Sequence, residues 1–170
     1  MLRTLGRIQD ALVNGALVLS CSLIGLAIAM VVVDVTLRAL RIANLNFSVA
    51  FVEYILLYFV LLAAPYLVRE RGHVVADMLH SQLTGTARVV MDKVIYSICI
   101  VVSLVFAWFG FLLLIDAIQN GYIDERSVNI PYWLLYICYP PCFLLIAAEF
   151  ARYLAGHGSY FDKHDELESL

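Results

Sequence analysis

The chain has 170 residues, of which 63% are hydrophobic and only 15% charged, and its mean hydropathy is +0.88. A soluble domain carries about 25% charged residues, and a domain of this size leaves too much surface in water to hide so much apolar material, so the composition excludes a soluble fold and calls for a bilayer. The net charge of −3 is small, and the eleven basic residues are scattered beside apolar runs, which excludes a nucleic-acid-binding face.

At the start of the chain, Arg3 and Arg7 precede a long apolar run, and Ala27-Ile28-Ala29 has the form of a signal-cleavage site. The run continues through Val31, Val32 and Val33, beyond the length of a signal sequence, and is read as an uncleaved first helix over residues 11–33. Ahead of it, Arg3, Arg7, Asp10 and Asn14 share one helical face, with Leu2, Leu5, Leu12 and Val13 elsewhere. That pattern predicts a short amphipathic helix on the membrane interface. Asp34 and Arg38 stand four apart at the far end of the span and can pair.

A second apolar run covers residues 49–68, with Glu53 about one turn in. The first two spans are antiparallel, so Arg38 could bridge Asp34 and Glu53 where water is scarce. Residues 72–85 follow. Val74, Val75, Met78, Leu79 and Leu83 cluster at helical spacing, while His73, Asp77, His80 and Ser81 take the other face and Gly85 suits a stop. A second interfacial helix is expected there.

The third span covers residues 94–118, with Asp116 near its end, and a loop over 119–131 leads to the fourth, 132–154. Pro131 suits a helix start, where its missing N–H does no harm. Pro140 and Pro141 lie inside the fourth span and predict a kink. Glu149 and Arg152 are three apart at its end and can pair. The tail, 156–170, is polar and acidic.

About 20 residues of helix cross a hydrocarbon core of ~30 Å, and backbone groups in lipid must bond within their own segment. Each run is therefore a helix. The expected fold is an all-α membrane protein with four transmembrane helices, forming one domain over 1–155 with an acidic cytoplasmic tail over 156–170. Basic residues orient it. Arg3, Arg7, Arg69, Arg71, Arg88, Lys93, Arg152 and Lys163 fall on one side, eight in all; Arg38, Arg41 and Arg126 fall on the other, three more, which completes the eleven. Both termini are thus expected in the cytoplasm.

Little of this suggests catalysis. Cys21, Cys99, Cys138 and Cys142 lie in apolar runs and read as small hydrophobes. His73, His80, His157 and His164 lie outside the spans, whereas a membrane haem needs histidines within them. No phosphate-binding loop, nucleophile elbow or zinc-protease motif is present. No enzyme activity, cofactor, metal site or substrate-binding residue is expected. Tyr54, Tyr122, Tyr132, Trp133 and Tyr153 fall at span ends, as interfacial belts require. The spans carry neither charges at mid-depth nor, by this reading, the broken helices that transporters use to hold substrate.

Several elements occur in a familiar order. Arg38 ends the first span and Glu53 begins the second. Arg71-Gly72-His73-Val74-Val75-Ala76-Asp77 follows the second, and Ser127-Val-Asn-Ile-Pro131-Tyr-Trp133-Leu-Leu-Tyr136 opens the fourth, with Pro140 or Pro141 beyond it. Over residues 5–155 the chain resembles the small membrane subunit of tripartite ATP-independent periplasmic (TRAP) transporters. It departs in having Phe51 as the nearest aromatic before Glu53, where the family often has Trp, and Cys142 after Pro141, where Gly is common.

The resemblance implies a multi-pass protein of the bacterial inner membrane that works with a large permease and a periplasmic substrate-binding protein. Together they import carboxylate-bearing solutes by symport with sodium or another ion. It also implies that the small subunit is a scaffold. Asp34, Arg38, Glu53, Arg71, His73, Asp77, Pro131, Trp133, Tyr136 and Pro140 are then structural or subunit-interface candidates. A self-sufficient homo-oligomeric transporter and the membrane anchor of a redox complex are the alternatives.

Overall fold

A computed structural model of the chain describes residues 2–41, 47–70, 86–124 and 129–155, with side chains from residue 6 in the first stretch and residue 90 in the third. Four long apolar helical spans are present, as the hydropathy requires. Helix α1 runs Leu2–Ala39, α2 Ser48–Arg69 and α3 Thr86–Asn120. A two-residue antiparallel ladder follows, in which β1 (Ile123–Asp124) pairs with β2 (Ile130–Pro131) in the register Ile123 to Pro131 and Asp124 to Ile130. The last span consists of α4 (Tyr132–Tyr136) and α5 (Tyr139–Leu154).

Two expectations need correction. The amphipathic N-terminal stretch is helical, but it is the first part of α1 and not a separate element. Hydropathy marks where lipid is tolerated, whereas the backbone ladder runs on through polar residues, so α1 extends past 11–33 at both ends. The fourth span is kinked, as the prolines predict: its helical ladder is interrupted at Ile137 and Cys138, whose backbone stays in the right-handed helical region. Pro140 and Pro141 lack the N–H groups that would have bonded back across that point. They sit in the first turn of α5, where such donors are not needed. The loop after the third span also holds the small ladder. The expected interfacial helix over 72–85, with Arg71, His73 and Asp77, and the tail over 156–170 lie outside the described residues.

The helices pack in the order α1, α2, α5, α3. Helix α1 packs chiefly on α2, α2 also meets α5, and α3 packs on α4 and α5. The row is open: only 11% of the α1 span and 17% of the α3 span are buried, against 28% for the two inner spans. The α1–α2 seam is read from Val13, Ser20, Ala27 and Asp34, all buried and seven residues apart. That repeat keeps one stripe of a helix facing its neighbour, and the small Ser20 and Ala27 permit close approach. Ser20 satisfies its hydroxyl on the Leu17 carbonyl at 2.8 Å.

Between α3 and α5 the closest approach is at Gly110. A Cβ there would lie 2.8 Å from the Tyr139 Cβ. Phe106 stacks on Phe143 one turn away, with ring centroids 5.2 Å apart. Toward the other end, Val68, Tyr96 and Phe150 form a buried apolar cluster joining α2, α3 and α5. Helix α3 ends at Gly121, whose φ of 63° is the left-handed conformation of a helix C-terminus.

Candidate functional site

Charged residues collect at the two ends of the row, and the middle has none. Residues 13–33, 54–68, 94–115 and 132–148 contain no Asp, Glu, Lys, Arg or His. In hydrocarbon a charge is expensive, so the ionisable groups that remain are where polar chemistry can occur.

The end formed by the start of α1, the end of α2 and the end of α5 holds a four-residue ionic cluster. Arg69 Nη2 lies 2.6 Å from Glu149 Oε1 and 3.0 Å from Asp10 Oδ1. Arg152 Nη1 lies 2.9 Å from Asp10 Oδ1 and 3.6 Å from Glu149 Oε2. Two cations and two anions alternate, so the cluster is neutral and links three helices. Glu149 is its most enclosed member, with a side chain 3% exposed, and its chain neighbour Phe150 belongs to the buried Val68–Tyr96–Phe150 cluster. The Tyr153 hydroxyl donates to the Arg69 carbonyl at 2.9 Å and so satisfies an acceptor at the α2 terminus.

Sequence reasoning found the Glu149–Arg152 pair from its spacing but missed Asp10 and Arg69 as their partners. The signal available was that all four fall on the same predicted side of the membrane.

At the opposite end, Arg38 Nη2 meets Asp34 Oδ2 at 2.7 Å, as the spacing predicts, and Asp34 is buried at the end of the α1–α2 seam. Glu53 is exposed in the second turn of α2. Tyr54, read from sequence as an interfacial aromatic, donates its hydroxyl to the buried Asp124 carboxylate of β1. One turn on, the Tyr58 hydroxyl donates to the Leu134 carbonyl of α4. Neither partner was apparent in sequence, since each lies some seventy residues away.

The remaining candidates occupy the kinked span. Pro131 is the residue before α4 and has extended backbone, as a helix entry needs. Trp133 is exposed on α4. Tyr136 stacks on Tyr132 at 6.3 Å and meets Tyr139 edge-on at 5.9 Å, and Pro140 opens α5. The proposed sites thus fall into separate places: Asp34 with Arg38 at one helix end, Tyr136 and Pro140 around the kink.

Among the described residues, no group of three or more His, Cys, Asp or Glu side chains could hold a metal ion. The four histidines lie outside those residues. The ionic clusters bring no nucleophile together with a base. What they do physically is fix helix depth and hold helices together.

The family model for the DctQ component of tripartite ATP-independent periplasmic transporters matches residues 27–157. No curated protein and no solved structure matches the chain.

Proposed function

The chain belongs to the DctQ family, the small membrane component of TRAP transporters, and from that premise we propose that it is the stationary frame of such a transporter in the bacterial inner membrane. In this reading a large permease carries the substrate and ion sites and packs along the open row. A periplasmic binding protein delivers a carboxylate-bearing solute, and a sodium or other ion gradient supplies the energy. This family is one of transporter components and not of enzymes.

The observation that carries the frame reading is the distribution of charge. The spans are charge-free through their centres, whereas a substrate or ion path needs polar groups at mid-depth. Both ends of the row are cross-linked by ion pairs and hydrogen bonds within the chain, which suits a part that stays still.

The test is purification of the tagged chain from its native host in mild detergent. A large multi-helix permease should accompany it in fixed stoichiometry. Arg38→Ala and Glu53→Ala should reduce that recovery or the expression of the chain while leaving substrate preference unchanged. A variant that assembles normally and transports a different solute defeats the frame reading.

A further inference from the structure

Beside the two tyrosine contacts lies a cavity of about 140 Å³. Leu23 of α1 and Ile55 of α2 form two of its walls, and Ile130 and Leu135 close a third. Tyr54 and Tyr58 turn their hydroxyls away, to Asp124 and Leu134, so only carbon faces the space. Its exposed members are Phe51 and Leu134, both about 40% accessible.

Each possible content can be weighed. Water needs two to four polar partners in such a space, and the lining offers none. An ion fails for the same reason. An empty void forfeits the dispersion contacts of every atom around it. The space is close to that of a cavity of roughly 150 Å³ that takes up benzene, so it accommodates about six carbons. The cavity opens within the membrane-spanning part of the chain, where the surrounding medium is hydrocarbon.

We propose that this cavity is a binding slot for the end of one phospholipid acyl chain, drawn from the leaflet on the side where α2 begins. The rim favours a lipid over a protein partner. Phe51 and Leu134 are large side chains rather than the small residues that let a partner helix approach closely, and a flexible hydrocarbon tail needs no such close approach. A seated chain would bridge the facing side chains of α1, α2 and α4. This proposal rests on the membrane-spanning reading alone and does not need the transporter assignment.

The test uses the full chain in nanodiscs containing a phospholipid with a diazirine at the end of one acyl chain, followed by irradiation and mapping of adducts by mass spectrometry. Tyr54 and Tyr58 should carry adducts in excess of those on Trp108, which lies on the exposed face of α3. Leu23→Trp fills the slot from α1 and should abolish that excess while Trp108 labelling stays as before. Leu135→Phe fills it from α4 and provides the same readout if the first variant does not fold. Equal labelling of Tyr58 and Trp108 in the wild type overturns the proposal. So does cross-linking of the slot to a co-purified permease in place of lipid, an outcome that would leave the family assignment standing.

Discussion

Replacing Glu149 by Gln keeps the side-chain shape and removes its charge from the most enclosed position of the ionic cluster. Among the described residues, Arg69, 20% exposed, then keeps the half-exposed Asp10 at 3.0 Å as its counter-ion. Removing one member of a buried pair costs about 3–5 kcal/mol. The surviving Asp10 contact and the amide oxygen of the new side chain offset part of that, giving an expected loss of about 2 kcal/mol. Asp10→Asn acts on a carboxylate 47% exposed, where solvent screening limits the loss to below about 1 kcal/mol. Replacing Arg69 and Glu149 together by Met removes both charges, and should return stability to within about 1 kcal/mol of the wild type. Unfolding of the four proteins in mixed micelles, titrated with a denaturing detergent and followed by helical circular dichroism, gives the ordering. Equal losses for Glu149→Gln and Asp10→Asn would refute the burial argument, and so would a double Met variant weaker than Glu149→Gln.

Other predictions follow from close contacts and charge placement. Gly110→Ala puts a Cβ 2.8 Å from that of Tyr139 and should cost about 1–3 kcal/mol by overpacking. Gly25→Ala, with nothing within 4 Å, should be neutral or slightly stabilising in the same detergent titration. Tyr58→Phe removes the donor to the Leu134 carbonyl and should cost about 1–2 kcal/mol, with faster amide hydrogen exchange around the Ile137–Cys138 turn. In a cysteine-free background, Gln119→Cys should react with an impermeant maleimide applied to intact spheroplasts, and Glu70→Cys only after permeabilisation. The reverse pattern would invert the orientation argued from the basic residues.

Features carried by local chemistry were legible in the sequence. Four spans were visible because lipid solubility is a property of composition over about twenty residues. The Asp34–Arg38 pair was visible because helical spacing alone brings the two together. The extent of α1 was not, since nothing in hydropathy records a helix continuing through Arg7 and Asp10 into water. The two prolines located the kink in the last span, whereas the Tyr58–Leu134 contact beside it joins residues 76 apart and leaves no local signal. Asp10, Arg69 and Glu149 meet only because the third turn of α1 lies level with the ends of α2 and α5, and that is a property of packing. The two-residue ladder at Ile123–Asp124 and Ile130–Pro131 is too short to leave an alternating pattern.

The charge-free centre of the row, bounded by ionic groups at both ends, also governs how the protein can move in a bilayer. Sinking toward one side would draw Asp34 and Arg38 into hydrocarbon, and rising toward the other would draw in Arg69, Glu149 and Arg152. Each charge approaching the centre of a bilayer costs about 2.5–3.5 kcal/mol on the insertion scale, so piston-like displacement is opposed from both directions. Sideways drift and rotation about the membrane normal meet no such resistance. This charge placement therefore sets a height for the chain, and any partner that must travel across the bilayer would have a reference level to travel against.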